Sequence, residues 1–433
     1  MFRFLYDVLL VILALLTLPW ILWQRYRFGK YKNGLRDRIG LSSISFAKKP
    51  DDKIVWVHAV SVGEVKAASS YCKKLKEIYP HIKLVVSTVT ETGQNEARKS
   101  IPAADLYFYL PLDLSFVMKK YVKTLQPDLM VLVEGDFWFN MLFYAKKFGA
   151  KTLLINGKMS FKSFNRFKKV PFFIRSLLRF LDFLCVQNEE MRSRFIKLGS
   201  KSSDVLVTGN IKLDVEQFVM PAQESEVFRA KLGISPSNKV ITLGSTHCAE
   251  ESQLLDQLAD LLDKDASCKI LIVPRHPERF DEVALMLSKR GFSFSRFSSN
   301  LCGDGHSAVV LVDAMGVLNS CYQVSNLAIV AGSFTQSIGG HNIFEPIQYG
   351  VPVLFGPYMF SQRDLKELCL SYHAGVCVEM KDVRSIVKRY FIDSDFQAAL
   401  KKGCLNAISC TKGSLKNTVN GTDFLVQRVL EKK

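Results

Sequence analysis

Three carboxylates in the first half of the chain accompany apolar runs of the kind that form buried parallel strands. Glu64 follows the run KIVWVHAV, Glu134 closes the run DLMVLVEG, and Asp136 comes just after it. A carboxylate at the carboxyl end of a strand can take a proton from an acceptor hydroxyl, or stabilise positive charge at an anomeric carbon. The alternative is that these acids only favour the first turn of a helix.

Polar residues also follow the apolar runs of the second half. Arg275 and His276 follow one run in PRHPERF, and Arg275 offers a permanent charge for phosphate or carboxylate. In SIGGHNIFEP a double glycine permits close backbone approach, and the next helix would present free N–H groups. Asn342 and Glu345 lie about one helical turn apart there. Together with a turn at Met315 and Gly316, this pattern predicts a nucleotide site.

Several classes of enzyme are disfavoured by the motifs that the chain lacks. Neither G-x-G-x-x-G after an early strand nor G-x-x-x-x-G-K-[ST] occurs, which argues against a dinucleotide oxidoreductase and a P-loop enzyme. No spacing of metal ligands stands out. The ten cysteines contain no C-x-x-C pair, so we interpret them as reduced and cytoplasmic.

The net charge points to an anionic partner. Lysine and arginine number 58 against 41 acids, a formal charge of +17. Most of the excess lies in two dense stretches, residues 25–38 with a net +5 and residues 158–179 with a net +7. Nucleic acid, an anionic membrane and an acidic substrate are the partners to consider.

The second basic stretch interleaves its charges with phenylalanines. Phe161, Phe164 and Phe167 would form a stripe on one helical face, with Lys162, Arg166 and Lys169 among the bases. Basic and apolar residues together fit an interfacial membrane helix. Single-stranded nucleic acid is the second possibility, and a helix whose phenylalanines only face the core is the third.

A membrane anchor is predicted at the start of the chain and favours the membrane over nucleic acid. Phe4–Trp23 is almost wholly apolar, with Asp7 its one charge, and about 20 helical residues span a bilayer. No cleavage site for a signal peptide follows it. By the positive-inside rule, the basic run after it keeps the body cytoplasmic. A buried core helix is the alternative.

Apolar runs and segments of helical length alternate along the rest of the chain. This alternation predicts an α/β protein with two doubly wound parallel sheets facing a cleft, and a linker between residues 215 and 235. We place the anchor at residues 1–24, the N-terminal acceptor domain at 25–220 and the C-terminal donor domain at 221–433. The last helix of the chain could pack back on the N-terminal domain.

The motifs resemble, over nearly the whole chain, those of the 3-deoxy-D-manno-octulosonic acid (Kdo) transferase family. The resemblance rests on GLRDRIG, VHAVSVGE, VEGDFW, GNIKLD, GSTH, PRHPERF, DAMG and GGHNIFEP. It implies a GT-B fold and inverting transfer of Kdo from CMP-Kdo to a lipid A precursor in lipopolysaccharide synthesis at the inner membrane. No metal or other cofactor would be needed. The number of Kdo residues added stays open.

The resemblance also assigns roles to individual residues. Glu64 would be the general base, and Glu134 and Lys212 would help to stabilise the transition state. The residues that would contact CMP are Arg275, His276, Met315, Gly316, Val317, Asn342, Ile343, Phe344 and Glu345.

Three positions depart from the family's pattern. Asp136 replaces a glutamate, Ala249 replaces the glycine before Glu250 and Glu251, and Val317 replaces a glutamate after Met315 and Gly316. Two rival functions are a nucleotide-sugar epimerase on the same fold and a non-catalytic binder of anionic lipid or nucleic acid. The epimerase would need neither the anchor nor the basic patch, and the binder would leave Glu64 unexplained.

Overall fold

The computed structural model of the chain describes residues 2–28, 35–42, 44, 46, 48–214, 219–299 and 307–431. The chain forms two compact units. Unit 1 consists of Met1–Val215 and Thr411–Lys433, and unit 2 consists of Glu216–Cys410. Cys302, residues 29–34 of the first basic stretch and residues 215–218 of the predicted linker lie outside the described residues.

Unit 1 alternates strands and helices. Its strands are β1 (Ile54–His58), β2 (Lys83–Thr88), β3 (Leu106–Tyr109), β4 (Leu129–Val133), β5 (Lys151–Gly157), β6 (Phe183–Val186) and β7 (Val205–Val207). Its helices are α1 (Phe2–Phe28), α2 (Leu35–Arg38), α3 (Val62–Ile78), α4 (Glu91–Ser100), α5 (Ser115–Leu125), α6 (Phe139–Lys147), α7 (Phe161–Lys168), α8 (Pro171–Leu178) and α9 (Glu189–Leu198). Short 3₁₀ helices cover Ser202–Asp204 and Ile211–Leu213.

Unit 2 repeats the alternation. Its strands are β8 (Lys239–Thr246), β9 (Cys268–Pro274), β10 (Phe294–Arg296), β11 (Val309–Leu311), β12 (Leu327–Val330), β13 (Val353–Phe355) and β14 (Gly375–Cys377). Its helices are α10 (Ala222–Lys231), α11 (Glu250–Lys264), α12 (Phe280–Lys289), α13 (Leu318–Gln323), α14 (Phe344–Ile347), α15 (Arg363–Ser371), α16 (Val383–Ile392) and α17 (Ser394–Thr411). Short 3₁₀ helices cover Pro277–Arg279 and Met380–Asp382, and α18 (Ser414–Leu430) returns to unit 1.

Each unit has a parallel sheet of seven strands among its described residues. The strand orders are β3-β2-β1-β4-β5-β6-β7 and β10-β11-β9-β8-β12-β13-β14. In the first sheet β1 pairs with both β2 and β4, and in the second β8 pairs with both β9 and β12. The strand order reverses at these positions, where open α/β sheets bind ligands beyond the carboxyl ends of the strands.

The apolar runs form strands that are buried on both faces. Every residue of β1 and of β4 is buried, as expected for a parallel sheet covered by helices on both sides. Successive residues of β1 point to opposite faces. Trp56 therefore belongs to one core cluster, whereas Val55 and Val57 belong to another.

Helix α18 completes the core of unit 1. Its Thr422 hydroxyl lies 3.1 Å from the Tyr71 hydroxyl of α3, and its Phe424 ring packs edge-on against Phe183 of β6. Leu425 and Leu430 are buried in the same cluster. The last described helix thus covers one face of the first sheet.

Helix α1 contains the predicted anchor. Among the described residues, the segment Arg3–Trp20 is long and apolar enough to cross a membrane, and none of its residues is fully buried. Apolar side chains along it are exposed, Leu16 by 74%. The helix is therefore not the buried core helix that the sequence left open.

Candidate active site

Glu64 lies at the carboxyl edge of the first sheet, in the first turn of α3. Its Oε2 atom accepts a hydrogen bond from the Val60 N–H at 2.7 Å, and Oε1 accepts one from the Ser61 hydroxyl at 2.9 Å. The residue is only 7% exposed. These contacts fix the carboxylate at the end of β1, whereas its position in the first turn of α3 alone would also fit the helix-end role that the sequence left open.

The surroundings of Glu64 tune its acidity. Burial raises the pKa of Glu64 to about 7, the Val60 N–H acts against this shift, and the negative charges of Asp136 and Glu134 add to it. A general base works best when its pKa lies near the working pH. The electrostatics thus suit proton transfer, which a position in the first turn of a helix does not by itself require.

Glu134 is a buried carboxylate held between two lysines. Its Oε1 atom forms an ion pair with Lys212 Nζ, and its Oε2 atom lies 2.9 Å from Lys158 Nζ. Asn156 Nδ2 donates to Oε1 at 3.3 Å. The residue is 5% exposed and adopts a left-handed φ of 67°. Such strain persists only where the surrounding structure enforces it.

The ammonium group of Lys212 also lies beside the start of α3. A Cβ atom added to Gly63 would come within 3.0 Å of Lys212 Nζ. The structure therefore brings the three residues assigned to catalysis, Glu64, Glu134 and Lys212, to one edge of one sheet. Asp136 lies there too, with its side chain exposed.

Sequence reasoning missed a buried hydrogen-bonded chain behind this edge. Trp138 Nε1 donates to His58 Nε2 at 3.1 Å, and His58 Nδ1 lies 2.9 Å from the Ser87 hydroxyl. Nε2 must therefore be the acceptor of the ring, and Nδ1 carries the proton. Burial lowers the pKa of His58 to about 4, so the ring stays neutral. The Trp138–His58 hydrogen bond joins the motifs VHAVSVGE and VEGDFW in the folded chain.

The residues predicted to bind the nucleotide follow three strands of the second sheet, since Met315–Val317 follow β11, Arg275 and His276 follow β9, and 339–345 follow β12. His247 follows β8, which lies between β9 and β12. Arg275, His276 and Met315 have exposed side chains. Gly316 has a φ of 83° and Val317 precedes α13.

Two histidines stack at the centre of this edge. The rings of His247 and His341 lie 5.0 Å apart and nearly parallel, with their Nε2 atoms 2.7 Å apart. Burial lowers the pKa of His247 to about 4, and the charges of His341, His276, Arg279 and Arg275 act in the same direction. A side chain at Gly332 would collide with the His341 ring, since an added Cβ would lie 2.6 Å from it.

Buried carboxylates hold the surrounding loops. Glu250 accepts from the Gly332 N–H at 2.8 Å and from the Phe334 N–H at 3.2 Å, which fixes the turn after β12. Glu251 accepts two hydrogen bonds from Arg279, at 2.7 and 3.3 Å. Arg279 is thus engaged within the protein, whereas Arg275 faces solvent. Ala249, just before these acids, has a φ of 70°.

The segment after the double glycine differs in one respect from the prediction. Helix α14 has only four residues, and its first N–H, that of Phe344, donates to Asn342 Oδ1 at 3.0 Å. Asn342 also donates to Glu345 at 3.3 Å. Burial raises the pKa of Glu345, while Asn342 and Arg275 lower it. Ile343 and Phe344 are buried, and the Phe344 N–H is already engaged by Asn342.

No group of three or more histidine, cysteine, aspartate or glutamate side chains that could hold a metal occurs in the part of the chain that the structure describes. Independently of any metal, the candidate ligands for a bound anion are the cationic groups named above. In unit 1 these are Lys212 and Lys158, and in unit 2 they are Arg275 and the histidines around it.

The basic aromatic stretch forms two helices, α7 and α8, with mixed burial. Phe164 is buried in the core, whereas Phe161 and Phe172 are exposed. Lys162, Arg166 and Lys169 are exposed as well. The phenylalanine stripe predicted on one face is therefore divided between the core and the surface. Lys158, counted in the same stretch, instead pairs with Glu134.

Comparison with known proteins places this geometry in a family. A family model described as 3-deoxy-D-manno-octulosonic-acid transferase (kdotransferase) matches residues 27–215. The 3-deoxy-D-manno-octulosonic acid transferase of Chlamydophila psittaci is 35% identical over 93% of this chain and 92% of its own length. The enzyme of that name from Haemophilus influenzae is 30% identical over 83% of each chain.

Solved structures agree on the fold. UDP-GlcNAc 2-epimerase from Neisseria meningitidis matches 86% of this chain and 99% of its own with a TM-score of 0.56. At 13% identity this is a likeness of fold alone. It shows the GT-B type of fold with two Rossmann-like units, as the sequence predicts. With the extended identity to named transferases, we conclude that the chain belongs to the 3-deoxy-D-manno-octulosonic acid transferase family and is a glycosyltransferase.

Proposed function

We propose that this glycosyltransferase moves Kdo from CMP-Kdo to a lipid A precursor, with Glu64 as the general base. The observation that carries the proposal is the buried Glu64 carboxylate at the end of β1, whose pKa of about 7 suits proton transfer near neutral pH. Fixed contacts to Val60 and Ser61 leave its position well defined.

The reaction follows from these groups. An acceptor hydroxyl attacks the anomeric carbon of Kdo and forms the new C–O bond, while the bond from that carbon to the phosphate oxygen breaks. Glu64 takes the hydroxyl proton, CMP leaves with the electron pair, and the anomeric configuration inverts. Lys212 and Lys158 both pair with Glu134, and Asp136 adds a second negative charge beside Lys158. The two ammonium groups would stabilise negative charge on the donor sugar or on the leaving phosphate.

The donor nucleotide is assigned to unit 2. Arg275 and His276 would bind phosphate oxygens, and the backbone of Met315–Val317 and 342–344 would contact the cytidine. Glu345 would accept from the ribose hydroxyls. The exposed charge of Arg275 and the convergence of three strand ends support this assignment. The departure at Val317 leaves a backbone contact possible and removes a side-chain contact.

The acceptor is assigned to the membrane side of unit 1. Lys162, Arg166 and Lys169 would attract the phosphates of a lipid A precursor and of the cytoplasmic face of the inner membrane. Exposed Phe161 and Phe172 lie on the same two helices, and apolar side chains among bases are typical of interfacial helices.

Mass spectrometry of the lipid product tests the proposal directly. Purified protein, CMP-Kdo and a lipid A precursor should yield a lipid heavier by one Kdo residue or more, and a chelator should not prevent this. Glu64→Gln should abolish the product, whereas Glu77→Gln, at the exposed end of the same helix, should not. Recovery of a free epimerised nucleotide sugar without any lipid product would refute the proposal.

A further inference from the structure

The first turns of the apolar helix α1 are attached to unit 1. Asp7 Oδ1 accepts from the Ser115 N–H at 3.0 Å and from Asn140 Nδ2 at 2.8 Å. The Tyr6 hydroxyl donates to Asp113 Oδ2 at 3.0 Å. The one acid in the apolar run Phe4–Trp23 is therefore bound to protein.

These contacts complete the caps of two other helices. Ser115 is the first residue of α5, and Leu114 before it offers no side-chain cap, so Asp7 supplies an acceptor for a free N–H. Asp113, which Tyr6 contacts, accepts the N–H groups of Asn140 and Met141 at the start of α6. The docking of α1 is thus built into the secondary structure of unit 1.

Ring contacts extend the attachment. The Tyr6 ring lies 5.6 Å from that of Phe139 and 6.3 Å from that of Phe173, and the Arg3 guanidinium lies 4.7 Å from the centre of the Phe143 ring. The partly buried side chains recur at the spacing of one helical face, and they are Arg3, Tyr6, Asp7, Leu10 and Ala14. The opposite face of the helix is exposed and apolar.

The chain beyond α1 returns to the same region of unit 1. The Leu112 N–H donates to the Arg38 carbonyl at 2.7 Å, and the Arg38 guanidinium lies 4.7 Å from the centre of the Tyr109 ring. The residues that hold the start of α1, Asp113 and Ser115, directly follow Leu112 in the sequence. Both flanks of the apolar helix are therefore anchored at one place.

We propose that α1 is a one-sided anchor, which enters a single leaflet and leaves both of its ends on the side of unit 1. If α1 spanned the bilayer while docked, residues 29–34 would have to bring the chain back across it. Six residues allow a distance of at most about 25 Å between Phe28 and Leu35, which is less than the thickness of the hydrocarbon core, about 30 Å. Lys30 and Lys32 would also have to enter lipid, which is costly.

Neighbouring side chains extend this membrane face. Phe172 is 74% exposed and precedes Phe173, whose ring stacks on Tyr6. Phe116 is 72% exposed and follows Ser115, whose N–H binds Asp7. Exposed bases lie on α7 and α8 or directly after them, in the same stretch of sequence as Phe172, and they are Lys162, Arg166, Lys168, Lys169, Arg175 and Arg179. Apolar side chains with a rim of bases match a leaflet of anionic lipid.

Labelling of sealed membrane vesicles decides the topology. One reporter cysteine is placed in a short Gly/Ser extension before Met1 and another at Tyr26, which is 93% exposed. The vesicles are treated with a maleimide that cannot cross the membrane, and the labelled cysteines are identified in peptides. Labelling of the exposed native Cys248 shows on which side of the membrane the two units lie. We expect both reporters to react from the side that labels Cys248. Reaction of either reporter from the opposite side would overturn the proposal in favour of a spanning helix.

A stability measurement tests the docking itself. Asp7→Ala should lower the melting temperature of the full-length protein in lipid nanodiscs by about 2–4 °C, because the start of α5 loses its acceptor. Leu9→Ala, on the exposed face of the same helix, should leave it unchanged. Equal melting temperatures for Asp7→Ala and the unaltered protein would refute docking. Both tests are independent of turnover, so they do not depend on the proposed reaction.

Discussion

Lys212, on the short helix after β7, forms an ion pair with Glu134 at the end of β4. The pair joins two strand ends that other strands separate within the sheet. The left-handed conformation of Glu134 points to a constrained site, and Lys158 gives the same carboxylate a second cation. The site therefore holds a buried acid between two cations, with Asp136 nearby as a second acid.

Replacing Lys212 with methionine should lower both stability and turnover. Removal of one partner from a buried ion pair is strongly destabilising, but Lys158 remains, so we expect a loss of about 1–3 kcal/mol. Chemical denaturation measures this loss, and Lys197→Met, at an exposed position of α9, is the control. The double variant Lys212→Met with Glu134→Gln should be less destabilised than the sum of the two single changes. Additive losses would show that the two side chains do not interact.

The pH dependence of turnover should report Glu64. Its pKa of about 7 means that the base is protonated and inactive at low pH, so kcat/KM, which reports ionisations of the free enzyme, should rise as the pH passes through about 7. Glu64→Gln should lose most of its turnover, about 100-fold or more, and with it this rise. A similar rise in the residual activity of Glu64→Gln would assign the ionisation to another group.

The same pKa shift predicts a trend in stability. Because the folded-state pKa of Glu64 lies above its ordinary value of 4.5, its contribution is fully present at low pH and is lost as the pH rises through about 7. Relative to Glu64→Gln, the unaltered protein should therefore lose stability between about pH 4.5 and 7. Denaturation curves at several pH values measure the difference, and a constant difference would contradict the shift.

Removal of the Arg275 side chain should weaken nucleotide binding. A charge-assisted hydrogen bond contributes about 1.5–3 kcal/mol, so Arg275→Ala should bind CMP about 10- to 100-fold more weakly by calorimetry. Arg290→Ala removes an equal charge at the end of α12, where Arg290 contacts Ser252 and Asp256, and should bind CMP normally. Unaltered affinity in Arg275→Ala would place the phosphates elsewhere.

Charge reversal on α7 and α8 should affect the lipid acceptor alone. Changing Lys162, Arg166 and Lys169 to glutamate should raise the KM for the acceptor and flatten the salt dependence of activity, since this attraction is screened by ions. The affinity for CMP should stay the same. A control variant reverses three exposed lysines elsewhere on unit 1, namely Lys73, Lys99 and Lys197. If the acceptor KM and the salt dependence of activity are unchanged, this stretch has no role in binding the acceptor.

Ala249 offers a stabilising change. Its φ of 70° is unfavourable for a residue with a Cβ atom, so Ala249→Gly should stabilise the protein by about 0.5–1 kcal/mol. Ala284→Gly, within α12, should instead destabilise it by about 1 kcal/mol. Thermal unfolding compares the two, and a loss of stability in both variants would show that Ala249 is not strained.

The sequence was most informative about the strands and their ends. The run of β4 is apolar at every position and that of β1 at every position but His58, as a strand buried on both faces requires. Residues just after such strands must lie at one edge of a parallel sheet, so Glu64 and Glu134 could be placed at the same edge. The chain order of the runs does not show that β1 lies between β2 and β4.

Contacts between distant residues could not be foreseen. Asp7 looked like the end of an apolar anchor, but it caps α5 more than a hundred residues later. Lys158 looked like one charge of a basic patch, but it pairs with Glu134. The role of Glu250 in holding the turn at Gly332 also depends on pairing between β8 and β12. Such partners are set by the tertiary fold, which local patterns do not encode.

The return of α18 to unit 1 has a consequence for synthesis on the ribosome. Unit 2 lies between the two parts of unit 1 in the chain, so all of its residues are translated before α18. Domains generally fold as units in the order in which their residues emerge. The face of the first sheet that α18 covers, including Phe183 and Tyr71, must therefore stay uncovered until residues 411–431 leave the exit tunnel. Unit 2 can therefore complete its folding before unit 1, although unit 1 is the first to be translated.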